Sequence, residues 1–201
     1  MNSNLEKYLE LLSEIKGRTI VIEKLQFNGK KRINDVHVEF ACLQIRKILE
    51  SIAFGSLISN MELYSKEYDK FSKFWNAELM LKDMERINKN FYPKPLLQVN
   101  SEIEGVIHDL IHVDEINYLN SKLFIKIYKK CGIILHTQNP YGTIIDYEYY
   151  RKNILVWLEK IKMLMNCHEM QLVGDENLYL FQIGSKEQAP FCTEFNFVKK
   201  F

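Results

Sequence analysis

A lysine and a histidine in the segment from residue 128 to residue 140 have types and a spacing that suit chemistry on a phosphodiester. Lys129 and His136 are seven residues apart, so on an α-helix they differ by only about 20° and share a face. The helix dipole favours the charged form of a histidine at a C-terminal end. His136 could then move the proton of a ribose hydroxyl while Lys129 offsets phosphate charge. The alternative, which the pattern favours, is a histidine that caps the helix end.

A line of charged residues crosses a second, otherwise apolar segment. Glu39, Arg46 and Glu50 fall within about 20° of one direction on a helix, and Arg46 and Glu50 form an i,i+4 pair. Such a line is typical of a salt-bridged seam between helices. The functional alternative is that Arg46 enters the same groove as His136 and supplies a guanidinium for the phosphate.

Aromatic and basic residues alternate near residue 150 and form a candidate patch for RNA or for a protein partner. Tyr149 is followed by Tyr150, Arg151 and Lys152, and Lys130 is the basic residue next to Lys129. Bases stack on aromatic rings, and cations contact phosphates, so this combination suits RNA. A second aromatic set is expected in the core rather than as a stacking platform: Phe71, Phe74, Trp75, Phe91 and Tyr92.

Two histidine patterns carry weaker signals. His108 and His112 are four residues apart, which on a helix is a possible metal-ligand spacing, but exposed polar histidines are the favoured interpretation. Arg32 and His37 fit an Arg-x4-His pattern by chance and are expected at a solvated helix entrance. The sequence therefore predicts no metal ion, and it contains no motif for a cofactor.

The segment around His136 resembles the signature region of HEPN-type helical domains. In that family a helix carries an arginine, then four to six residues, then a histidine. Only His136 matches outright, because Lys129, Lys130 and Cys131 stand at the three possible arginine positions. The resemblance implies a helical bundle that commonly forms a homodimer and, in active members, a metal-independent ribonuclease. Lysine lacks the bidentate fork of arginine, so weak or lost activity is expected.

The wider layout is also similar to a family of bacterial proteins. The features that carry this likeness are the long apolar helix after Arg46, the run Phe91-Tyr92-Pro93 and the Cys131-x4-His136 segment, followed by terminal strands. It implies no activity.

Hydrophobic periodicity predicts a mainly α-helical bundle of about five helices with a small C-terminal antiparallel β-meander. Helices are expected over 5–27, from 34 or 35 to 61, 65–88, 120–136 and 146–166, with the second helix the most buried. The segment 96–117 fits a short helical face, although a strand is also compatible. Three strands are expected from about residue 171. We therefore predict a single domain, with a bundle over 1–168 and a β-appendage over 169–201 packed on it.

Composition bounds the possible partners. The 201 residues include 27 Lys and Arg against 26 Asp and Glu, a net charge of +1, and 47% are hydrophobic. This excludes a disordered chain, and any nucleic-acid binding must come from a local patch. Four dispersed cysteines, no signal peptide and no membrane segment predict a cytoplasmic protein.

Two functions follow as expectations. The first is an RNA-directed, HEPN-like protein with weak or lost ribonuclease activity, in which His136 transfers protons and Lys129 or Arg46 contacts phosphate. The second is a non-catalytic protein–protein interaction module, such as a toxin–antitoxin or phage-defence accessory.

Overall fold

The computed structural model describes residues 3–27, 29, 33–61, 76–105, 108–171, 173 and 177–195. This part of the chain forms five α-helices and a five-stranded antiparallel sheet. The helices are α1 (Ser3–Glu23), α2 (Asp35–Ser59), α3 (Ala77–Ile87), α4 (Ser121–Ile134) and α5 (Tyr147–Met165). The strands are β1 (Lys94–Asn100), β2 (His108–His112), β3 (Cys167–Gln171), β4 (Leu178–Gln182) and β5 (Phe191–Phe195), with a short 3-10 turn at Glu115–Asn117.

Helix α2 is the centre of the bundle, as its apolar middle predicts. It packs against α1, α3, α4 and α5, and its side chains from Val38 to Ala53 are fully buried at most positions. Side chains that can accept a hydrogen bond start the helices. Asn34 accepts from the backbone N–H of His37 at 2.9 Å, and Asn120 accepts from that of Leu123 at 2.8 Å. These N-caps satisfy donors that the first helical turn leaves free.

The sheet is larger than the expected C-terminal meander. Its strand order is β2-β1-β3-β4-β5. A C-terminal three-stranded meander is present, but its first strand begins at Cys167 rather than near residue 171, and two more strands join it from the middle of the chain. The helical expectation for 96–117 is wrong. Pro95 pairs with β3, and Leu96 packs beside that strand. A turn with Gly105 at φ 85° then brings β2 back along β1. A few apolar residues fit both the helical period and the strand period, and pairing with β3 selects the strand.

The sheet and the bundle share one core. Met170, Tyr179 and Phe181 of the sheet belong to the same buried cluster as the helices. At this junction the buried His168 accepts a hydrogen bond from Tyr8 at Nε2 (2.8 Å), and its Nδ1–H donates to the Met165 carbonyl (3.2 Å). The expected boundary at residue 169 therefore runs through β3, and the sheet also includes residues 94–100 and 108–112.

Some expectations lie outside the described residues. The third predicted helix, 65–88, corresponds to α3 in its second half, while Phe71, Phe74 and Trp75 are not described. Arg32 is also outside them, and His37 lies in the first turn of α2. Phe91 is buried and Tyr92 is largely so, which agrees with their assignment to the core. Within the described residues, no helix combines the length and the apolar character that a bilayer span requires.

Candidate functional site

Helix α4 places His136 in solvent. The helix ends at Ile134, and the His136 N–H donates to the Ile133 carbonyl at 3.4 Å in a tightened last turn. The imidazole is exposed. His136 is therefore reachable from water, which is the condition that proton transfer to a bound molecule requires.

The exposed side of α4 is strongly basic. The helix contains four lysines and no acidic residue. Lys122, Lys126, Lys129, Ile133 and His136, which we name the α4 stripe, are all exposed. Their spacing of four, three, four and three residues keeps them within about 40° of one line on a helix. Lys122 and Lys126 were not predicted as site residues, although the spacing of the lysines and the lack of acidic residues are visible in the sequence.

Lys129 is balanced by a carboxylate from α3. Its Nζ lies 3.0 Å from Oε1 of Glu78, which also accepts from Lys82 at 2.7 Å. The hydrogen bonds from Lys82 and then from Lys129 lower the pKa of Glu78. Two lysines share one carboxylate, so this cluster keeps a net positive charge. The side chain of Lys129 is 59% exposed, and surface pairs of this kind exchange readily with a ligand.

Arg46 reaches the same helix from α2. Its Nη2 donates to the Tyr128 hydroxyl at 2.6 Å, and its guanidinium lies 4.0 Å from the centre of the Tyr128 ring. Its Nε lies 3.2 Å from Glu50. A Cβ at Gly132 would be only 2.9 Å from Nη1, so the guanidinium packs on α4 one turn before His136. The Arg46–Glu50 pair of the predicted line is present, whereas Glu39 accepts a hydrogen bond from the Tyr147 hydroxyl at 2.5 Å.

Cys131, one of the three residues at the possible arginine positions, faces the interior. It is fully buried beside Cys42, and the hydrogen bond with Cys42 followed by burial raises its pKa. A neutral buried thiol cannot contact phosphate. The basic positions of the motif are thus Lys129 on the stripe and Lys130 beside it.

The structure separates the expected aromatic–basic patch into two parts. Lys130 Nζ lies 5.1 Å from the ring centre of Tyr149, a cation–π contact that joins α4 to α5. Arg151 has another role, because it donates to the Ile33 carbonyl at 2.8 Å and pairs with Asp35 and Glu148. Its side chain is only 11% exposed, so it ties α5 to the start of α2. Lys152 is exposed.

The two histidines at 108 and 112 lie at the ends of strand β2. Four residues of strand extend about 13 Å, so the two side chains of one chain cannot share a metal ion. Among the described residues, no group of three or more His, Cys, Asp or Glu side chains could hold a metal ion. The helical spacing that suggested a ligand pair does not exist.

A cavity of about 680 Å³ lies between α1, α5 and the segment after β4. Lys16 fixes its wall by donating to the carbonyls of Ile183, Ser185 and Gln188. Lys162, also at its rim, pairs with Glu23 and Glu159. Lys16 is thus held by carbonyl groups and Lys162 by carboxylates. Nothing in the sequence had indicated the cavity.

No protein-family model, curated protein or solved structure matches the chain. Function must therefore be inferred from the side chains themselves. Lys129 lies on α4, His136 follows the end of that helix, and Arg46 of α2 contacts Tyr128 on it. Arg151 makes a structural contact instead.

Proposed function

We propose that this protein is an RNA-directed, HEPN-like helical protein that binds RNA through the α4 stripe, with weak or no ribonuclease activity. The observation that carries this proposal is the exposed line of three lysines and His136 on a helix without acidic residues. Fourteen residues of helix extend about 21 Å, so the stripe can follow several nucleotides of a strand.

The charge of the stripe is local, since the whole chain has a net charge of only +1. Lysines that neutralise phosphates release counterions, and this drives binding without reading sequence. The stripe offers no planar fork for a base edge, and the described aromatic ring beside it, Tyr149, is covered by Lys130. We therefore expect binding that tolerates many RNA sequences.

Efficient cleavage has less support than binding. His136 is exposed and can exchange protons, but Arg46 is held by Glu50 and by Tyr128. A phosphate would have to displace a carboxylate before it could use that guanidinium. Lys129 can contribute charge but not bidentate contact. These features fit a protein that holds RNA better than it cuts it.

The binding proposal is tested with fluorescein-labelled single-stranded RNA and fluorescence anisotropy over a range of salt concentrations. The double variant Lys122→Gln, Lys126→Gln should weaken binding and reduce the slope of log K against log salt by about 1.4, since each phosphate contact contributes about 0.7. The matched control, Lys7→Gln with Lys24→Gln, removes the same charge from positions near the two ends of α1 and should leave the slope nearly unchanged. Equal slopes in both double variants would refute the assignment to α4.

Cleavage is tested separately, in EDTA, with wild type and His136→Ala. A residual ribonuclease that uses His136 as its proton-transfer group should lose most of its rate in the variant. Equal and negligible cleavage by both proteins would limit the function to binding.

A second function, a non-catalytic protein interaction module, is favoured by one other surface. Val36, Phe40 and Leu43 are exposed at i, i+4 and i+7 on the outer side of α2, with Val36 69% exposed. An apolar helical line of this kind suits a protein partner. Absence of salt-dependent RNA binding would favour this function over the first.

All four cysteines are free thiols, which supports the proposed cytoplasmic location.

A further inference from the structure

Within the described part of the chain, strand β2 is an edge of the sheet. It pairs with β1 from Leu96 opposite His112 to Asn100 opposite His108, and it is the first strand in the sheet order. Leu110 and Ile111 are 41% and 46% exposed. The strand contains no proline and no lysine, the residues that usually prevent edges from pairing with other strands.

One hydrogen bond fixes which residues of β2 face outward. The Val113 N–H donates to the Pro95 carbonyl of β1 at 3.3 Å. Because the bonding direction alternates along an antiparallel strand, Asp109 and Ile111 also direct their backbone groups toward β1. The backbone N–H and C=O groups of His108, Leu110 and His112 therefore point to the open edge.

The same three residues are symmetric in sequence. Strand β2 reads His-Asp-Leu-Ile-His, so an antiparallel second copy centred on Leu110 places Leu110 opposite the partner's Leu110. It also places His108 opposite the partner's His112. Each of these pairs can exchange two backbone hydrogen bonds, because these are the residues whose groups point outward. The hydrogen-bond phase restricts the pairing to registers that place these three residues opposite one another, and the positions of the two histidines then select the register centred on Leu110.

We propose that two copies of this chain associate through β2 in this register, and that His108 with the partner's His112 binds a divalent transition-metal ion such as Zn²⁺. Residues opposite each other on paired strands have Cβ atoms about 4.5–5.5 Å apart, which lets two imidazoles reach one ion. The two-fold axis creates two such sites, and neither exists in a single chain. Water would complete the coordination.

The register makes opposite predictions for lysine at adjacent, similarly exposed positions. Leu110→Lys places two ammonium groups opposite each other across the axis. Ile111→Lys places its ammonium group opposite the partner's Asp109, an attractive pair. Like charges at such a site are destabilising and opposite charges are favourable. The two variants add the same charge to the same strand, so each is the control for the other.

The test is sedimentation velocity of the full chain over a range of protein concentrations, in EDTA and in Zn²⁺, with circular dichroism to check that each variant is folded. The wild type should dimerise, and Zn²⁺ should lower its dissociation constant at least tenfold. Leu110→Lys should raise the dissociation constant at least tenfold in EDTA, and Ile111→Lys should leave it unchanged or lower it. A monomer at all concentrations, or equal effects of the two lysines, would overturn the interface.

The metal site has its own variants. His108→Ala and His112→Ala each remove one ligand from both sites, so either should abolish the response to Zn²⁺ while the dimer in EDTA persists. A response to Zn²⁺ that survives both variants would overturn the metal site.

Discussion

Acidification should destabilise this fold through a single buried histidine. His168 is fully buried between Tyr8 and Phe181, with its ring stacked on Phe181 at 5.6 Å between centres. A carbonyl only accepts hydrogen bonds, so Nδ1 carries the proton that is donated to Met165, and Nε2 accepts from the Tyr8 hydroxyl. A second proton, on Nε2, would meet the hydrogen of that hydroxyl and would place a charge in the core.

The size of the effect follows from the pKa. Burial lowers the pKa of His168 from 6.5 to about 4, although the hydrogen bond to Met165 acts in the opposite direction. Because the folded state has the lower pKa, the unfolded chain binds more protons between these values, and stability rises with pH there. The two pKa values differ by about 2.5, and one pKa unit corresponds to about 1.4 kcal/mol, so about 3 kcal/mol is lost between pH 7 and pH 4.

Urea unfolding at intervals from pH 7 to pH 4 measures this loss against His168→Gln. Glutamine does not titrate, and its amide can accept from Tyr8 and donate to Met165. Carboxylates that titrate in both proteins cancel in the difference between their free energies of unfolding. That difference should change by about 3 kcal/mol, mostly below pH 6.5, whereas a difference independent of pH would refute the assigned protonation state.

Two further predictions concern helix packing and RNA affinity. Gly17→Ala should raise the free energy of unfolding by about 0.5–1 kcal/mol, because a Cβ at Gly17 meets no atom within 4 Å and alanine favours a helix. Gly55→Ala should lower it by about 1–3 kcal/mol in the same urea assay, since the new Cβ would lie 2.9 Å from the buried ring of Tyr8; equal signs for both variants would contradict the packing. Glu78→Gln removes the carboxylate that binds Lys129, so RNA affinity at low salt should rise several-fold and the salt slope should steepen, as measured by anisotropy. Unchanged affinity would show that Lys129 does not contact RNA.

The sequence predicted the features that depend on neighbouring residues. The helix starts near residues 34 and 120 were visible, because an amide before an apolar helix, here Asn34 and Asn120, satisfies the first free N–H groups. The buried middle of α2 was equally visible in its apolar composition. Strands β1 and β2 could not be distinguished from a helix, because short segments with few apolar residues fit both the helical and the strand period until β3 pairs with Pro95.

The pairing of charges was also beyond the sequence. Arg151 looked like an RNA contact, yet it binds Asp35, which is 116 residues away along the chain. Lys129 meets a carboxylate from α3 in the same way. Such pairs depend on how helices pack, and no local pattern encodes them. In contrast, Arg46 and Glu50 are one helical turn apart, so their pairing was predictable.

The distribution of cations with and without a carboxylate partner favours the proposal of binding over that of cleavage. Stabilising a phosphate in a transition state requires a preorganised cation, and the guanidinium of Arg46 is already committed to Glu50 and Tyr128. Binding a strand needs only mobile positive charge. Lys122 and Lys126 supply it, since neither pairs with a carboxylate among the described residues. The guanidinium of Arg46, the candidate for a catalytic contact, is thus neutralised by Glu50. Lys122 and Lys126 keep their charge available for a polyanion, which is why RNA binding is the stronger part of the proposal.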